Sequence, residues 1–258
     1  RMYSLTKNYD IIVVKFKTKG VKNVEDFNEY KYDNNAIDLK SALSAQMTRV
    51  FGWMFIGLII TGITAYLTAT SEAMMSMLYT GRFTFLGFLI LEVVFVLFIS
   101  SRAMHMDYGV AAAAFIMYSV LNGITLSVIF LAYELGSIYL AFFMTAGFFG
   151  FMCLYGLLTK ADLTSLGSFL LMGLVGLIIV SIFNLILRSS SLEWILSIVG
   201  VAIFLGLTAY DTQKIMNISK HYTGTEKERN IAIVGALTLY LDFVNLFLRV
   251  LRVLNRRR

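Results

Sequence analysis

The sequence predicts an all-α integral membrane protein, a bundle of seven transmembrane helices with the C-terminal helix at its centre. Three observations carry that prediction. Of 258 residues, 58% are hydrophobic, and the mean hydropathy of +0.75 lies far above that of a soluble domain. Seven apolar runs of about 20 residues carry few charges, the length that crosses a bilayer core about 30 Å thick. The last run bears a single narrow polar stripe, which a helix hides by turning it toward neighbouring helices.

In chain order, a hydrophilic stretch of residues 1–46 precedes a seven-helix domain expected over 47–258. The alternation Val13-Val14-Lys15-Phe16-Lys17-Thr18-Lys19 permits an exposed strand, but the composition favours a disordered cytosolic tail. The first span is expected from about Val50 to Thr70. The second, Phe83 to Ser101, holds Glu92 near its middle and ends at Arg102. The third, Tyr108 to Tyr133, carries four alanines for close packing and then Asn122-Gly123 in mid-span. The fourth, Ser137 to Leu158, is rich in Phe and Gly; the fifth, Ser165 to Leu187, offers Gly173 and Gly176 as a small-residue contact face. The sixth begins near Leu192 and the seventh near Ile231. There is no proline, so any kink must come from glycine or from polar residues.

Basic residues set the orientation. With the N-terminus in the cytosol, the inner side collects nine of them from Arg1 to Arg49, then Arg102, Lys160, Lys214, Lys220, Lys227 and Arg229, against Arg82 and Arg188 outside. That asymmetry places the N-terminus in the cytosol. One group disagrees: a seventh complete span sends Arg249, Arg252 and the three terminal arginines outside, so either the last segment is a short or re-entrant helix or, as the seven-span reading has it, the tail breaks the rule.

Composition also excludes several classes. The net charge of +6 in so apolar a chain reads as orientation and contact with anionic lipid heads, not as nucleic-acid binding. Cys153 is the one cysteine, a small core residue. His105 and His221 fall in polar connections without a second ligand at metal-site spacing. No Gly-rich phosphate loop or nucleophile signature occurs, so we expect no enzyme and no cofactor.

The candidate site lies in the last two spans. Asp211 closes the sixth in Ala209-Tyr210-Asp211-Thr212-Gln213, and Asp242 sits in mid-helix in the seventh. An ionised side chain at bilayer depth costs about 3 kcal/mol or more, so such residues face a bundle interior or a water-filled path. Gly235, Thr238, Asp242, Asn245, Arg249 and Arg252 follow at steps of three or four and share one helix face. Asp242 lies about 17 Å along its helix from Ile231, at ~1.5 Å per residue. It reaches the depth of Asp211 if the sixth helix continues past that residue and the seventh starts early. A start signal exists in Thr225-Glu226-Lys227-Glu228, which fits a capping box after Gly224. Carboxylates that meet there would share a proton and form a pH-sensitive latch. Arg102, Glu92, Asn245 and Thr238 complete the candidate set, Glu92 as a second pathway carboxylate.

At these residues the sequence resembles the Bax-inhibitor family, the transmembrane Bax-inhibitor-motif proteins and their bacterial homologues. The stretches that carry the resemblance are Ala209-Tyr210-Asp211-Thr212-Gln213, Leu239-Tyr240-Leu241-Asp242-Phe243-Val244-Asn245-Leu246-Phe247 and Leu91-Glu92-Val93. The resemblance covers about residue 45 to the end and implies six helices wrapped around the last. It implies a pH-sensitive calcium leak in a bacterial plasma (inner) membrane, with Asp211 and Asp242 as a proton-sharing dyad that calcium meets in passing. It also implies an arginine at the inner end of the second helix that latches the first aspartate; Arg102 is the candidate, about one position from where the pattern puts it.

Three functions compete. In a calcium leak, a hard ion that prefers oxygen ligands passes carboxylates and amide oxygens along the last helix. In a proton-coupled exchanger the same carboxylates alternate, although the inverted repeats that would favour it are not visible. A non-transporting regulator would instead bind other membrane proteins. The expected partners are therefore the lipid bilayer, calcium ions and, in the third reading, membrane proteins.

Overall fold

The computed structural model of the protein describes the backbone of residues 24–80 and 84–255. The strand or tail expected around Val13 to Lys19 lies outside the described residues. The chain divides into two units, 1–45 and 46–258. In the first, helix α1 (Val24–Thr70) begins at Val24, so residues 24–45 are helical where the composition suggested disorder. No glycine or proline interrupts the chain between Val24 and Phe51, and without a breaker the helix of the first span extends backward.

The second unit contains the remainder of α1 and then α2 (Glu72–Thr80), α3 (Thr84–Arg102), a 3₁₀ turn (Ala103–His105), α4 (Tyr108–Leu126), α5 (Ile129–Ala132), α6 (Leu135–Leu158), α7 (Thr164–Leu187), α8 (Ser190–Tyr222) and α9 (Glu228–Asn255). Seven segments are long and apolar enough to cross a membrane: Leu39–Thr70, Thr84–His105, Tyr108–Ala132, Leu135–Leu158, Thr164–Leu187, Ser190–Tyr222 and Glu228–Asn255. The protein is an all-α integral membrane protein, as the apolar runs predict. Its first span starts earlier than Val50, and α2 adds a short helix to the first connection.

The last helix lies at the centre. Leu239, Tyr240 and Leu246 are inaccessible, and so are Ile233, Ala236 and Leu251. Helix α9 packs principally on α8, α6, α4 and the 3₁₀ turn, while α3 joins through α4 and α7 through α8. The outer helices turn apolar side chains outward, among them Leu97 and Phe98 on α3 and Met172 and Ile186 on α7. In water such a surface would drive aggregation; facing lipid it costs nothing.

Glycines let α7 and α8 pair closely as antiparallel neighbours. Gly167 lies under the Tyr210 ring and Gly206 against Leu170. At the turn between α8 and α9, Gly224 takes a left-handed φ of 78°, where a side chain would be strained. The capping box departs from its expected form. The Glu228 carboxylate accepts from the Gly224 N–H (2.9 Å), not from Thr225, while the Thr225 hydroxyl donates to the Tyr222 carbonyl (2.7 Å). Glu228 also receives Arg49 Nη1 at 2.6 Å, tying α1 to the start of α9.

Candidate functional site

The polar stripe of α9 faces α8, and its rungs run antiparallel. Near the α8–α9 turn, Gly235 stands against Ile215. At the far end, a methyl group on Gly200 would lie 2.9 Å from Arg249 Cδ, and Arg252 Nε is 3.9 Å from Glu193 Oε1. Between these rungs the carboxyl groups of Asp211 and Asp242 come within hydrogen-bonding reach of each other. The depths agree because α8 continues eleven residues past Asp211 and α9 starts fourteen before Asp242. At ~1.5 Å per residue both carboxylates sit about 17–21 Å from the turn.

Asp242 is buried, with 6% of its surface exposed. Its Oδ2 has no hydrogen-bond partner among the described residues, and the carboxyl of Asp211 is the charged group beside it. Ionised carboxylates only accept, so a hydrogen bond between the two requires one proton held in common. The surrounding hydroxyls do not compete for it. Thr208 and Thr212 donate to the carbonyls of Phe204 and Thr208, both at 2.7 Å. Lys214, three residues past Asp211, is a cation whose charge acts on it; its ammonium also lies 5.5 Å from the Tyr210 ring centre.

The other sequence-derived candidates are dispersed. Thr238 and Asn245 share the stripe but bond back to their own helix, to the carbonyls of Val234 (3.0 Å) and Leu241 (2.8 Å). Arg102 ends α3 with an exposed side chain. Among the described residues the ion pairs are Arg49–Glu228 and Arg252–Glu193, so the structure does not bring Arg102 and Asp211 together as a latch. No group of three or more His, Cys, Asp or Glu side chains converges on a metal position among the described residues.

Glu92 belongs to a second polar cluster on the opposite side of α9. Its carboxylate accepts from the Thr125 hydroxyl and from Asn122 Nδ2 at 3.3 Å. Asn122 Oδ1 in turn accepts from the Tyr240 hydroxyl at 2.8 Å. That hydroxyl lies 2.6 Å from Thr61 Oγ1, which is bonded to the Ser119 carbonyl. The chain of contacts therefore joins α3, α4, α9 and α1. Sequence reasoning gives Thr61 no part, quotes Tyr240 only within the family motif, and reads Asn122 only as a mid-span polar residue. The available signal was Tyr240 itself: two residues from Asp242 it points about 200° away, toward a different set of neighbours.

A further polar side chain, quoted from the sequence only within a motif, lies two residues past Asp211. Buried Gln213 accepts from the Leu163 N–H (3.0 Å) and donates to the Ala161 carbonyl (2.9 Å), clamping the α6–α7 link onto α8 beside Asp211. In that link Asp162 accepts from the Thr164 N–H and hydroxyl, and these bonds hold its exposed carboxyl below the usual range.

Comparison with known proteins agrees with the span pattern. A family model described as inhibitor of apoptosis-promoting Bax1 matches residues 43–258. The chain is similar to the inner membrane protein YbhL of Escherichia coli K12, 40% identical over 233 residues, which cover 90% of this chain and all of that relative. It is also similar to a Borreliella burgdorferi protein, 43% identical over 82% of this chain and 92% of the relative. A third relative, RP147 of Rickettsia prowazekii, is 40% identical over 84% of this chain and 91% of its own length.

Proposed function

Since the chain belongs to the Bax-inhibitor family, we propose that it is a pH-sensitive calcium leak whose gate is the proton shared by Asp211 and Asp242. The observation that carries the reading is the meeting of two carboxyl groups in the α8–α9 seam, one of them buried. Two oxygen-bearing groups without a third ligand suit a hard cation in transit better than one retained. The same chemistry makes passage depend on pH. With no proton, two charges slow the release of a divalent cation; with one, the single charge that remains draws the cation in and lets it leave; with two, nothing draws it in.

The protein sits, on this reading, in a bacterial plasma membrane with its N-terminus in the cytosol. The basic residues near Arg49 and in the α8–α9 connection support that direction. Arg102 has no place in the conformation described above. Its role as a latch requires a second conformation in which the end of α3 approaches α8.

Calcium entry into liposomes holding only this protein tests the reading. Flux that peaks between about pH 5 and pH 8 and follows the calcium gradient alone is the expected result. Absence of flux at every pH would sink the leak and favour the regulator. Uptake driven by an imposed proton gradient would identify an exchanger.

A further inference from the structure

At the far end of the seam from the α8–α9 turn, a cavity of about 640 Å³ opens between the end of α7, the start of α8 and the end of α9. Three of its lining residues are Arg188, Arg249 and Arg252, and one is Glu193, a formal excess of two positive charges. The carboxylate is already engaged with Arg252 at 3.9 Å. Arg249 is half-buried with its stem laid across Gly200, and among the described residues its guanidinium has no ion pair. A half-buried cation without a paired anion is costly, and the one carboxylate in the lining leaves two of the three positive charges unbalanced.

Neutral donors stand beside these charges. Ser181 lines the cavity with its hydroxyl buried and, among the described residues, without a hydrogen-bond partner. Asn184 also lines it; its Oδ1 accepts from the Ser189 N–H at 3.2 Å, which leaves the amide NH₂ free to donate. Below them Ile178, Ile182 and Leu185 line the same cavity and are exposed on the outward face of α7. The site thus has a cationic head with hydroxyl and amide donors, and an apolar flank open to lipid. Guanidinium groups match phosphate oxygens with paired N–H donors.

We propose that this cavity binds a phosphate group, presented by an anionic phospholipid of the surrounding leaflet or arriving as free phosphate. The assignment accounts for the one irregularity in the charge pattern. Because α9 is a complete span, Arg249 and Arg252 lie at the opposite end from Lys220 and Lys227, against the rule that cations gather on one side. As ligands for a headgroup these arginines have a reason to be there that orientation does not supply.

The full chain in a neutral detergent tests the site. Native mass spectrometry would compare retention of phosphatidylglycerol with that of phosphatidylcholine, and inorganic phosphate would be titrated separately while thermal unfolding is followed. Selective retention of phosphatidylglycerol identifies the lipid as the source. Stabilisation by inorganic phosphate without lipid selectivity identifies the free anion. In either case Arg249→Gln should weaken binding by about tenfold. Arg188→Gln, at an exposed position whose left-handed φ of 51° is kept by another long unbranched side chain, should do the same. Lys160→Gln, an exposed charge between α6 and α7, should change nothing. Binding that survives both arginine substitutions, or falls equally with Lys160→Gln, would overturn the assignment.

Discussion

Gly156 on α6 stands directly against the backbone carbonyl of Ala209 on α8, two residues before Asp211. A methyl group there would collide with that oxygen, and main chain, unlike a flexible side chain, cannot turn aside. Gly156→Ala should therefore destabilise the protein by about 1–3 kcal/mol through overpacking. Gly147→Ala, on the same helix with open space around it, is the control. Thermal unfolding in detergent should separate the two, and equal midpoints would mean that α6 and α8 are not in close contact.

Asp242→Asn keeps the size and the hydrogen bonding of the side chain but removes its titration. Calcium flux into liposomes should lose its peak in pH while the helical content is unchanged. An unaltered pH profile would remove the shared proton from the mechanism. Asp211→Asn leaves one carboxyl group and should convert the peak to a single sigmoid, because the second protonation step is gone.

Asn230 donates to two carbonyls of the turn between α3 and α4, those of Ala103 and Met106, each at 2.7 Å. Asn230→Ala strands both acceptors, which should cost about 1–3 kcal/mol. Amide exchange would show whether the loss is local: protection should fall first at residues 103–106 and at the first turn of α9.

Tyr240→Phe removes a hydroxyl that links Thr61 and Asn122 and should also cost about 1–3 kcal/mol. The proton site lies on another face of α9, so the pH of maximal flux should stay where it is while the amplitude of the leak rises. A displaced maximum would show that the two clusters titrate as one.

What the sequence made legible follows from the length scale of each cue. Seven spans are written in runs of about 20 residues, and the face holding Asp242 is written in steps of three and four; both are local and both hold. The Asp211–Asp242 contact depended on where α8 stops and α9 starts, and only the helical continuation to Tyr222 and the start at Glu228 resolve it. Partners across helices were illegible. Nothing near Glu92 in the chain announces Thr125, and nothing near Tyr240 announces Thr61, because helix rotation and crossing decide those contacts. The start of α1 was misjudged for the opposite reason. A polar composition reads as disorder, although polar helix formers without a breaker can extend a helix that the membrane already nucleates.

The central helix carries polar groups on two sides at nearly the same height. Asp242 faces α8, where the proposed dyad would hold it, and Tyr240, two residues earlier, is bonded to Asn122 of α4 and lies against Thr61 of α1. Any roll of α9 that parts the aspartates must stretch the tyrosine bonds on the other side, and those bonds pull it back. In the proposed leak, the Tyr240 cluster would thus act as a return spring for a gate it does not touch. Its stiffness would govern how long each opening lasts, while the protons on the aspartates govern how often one begins.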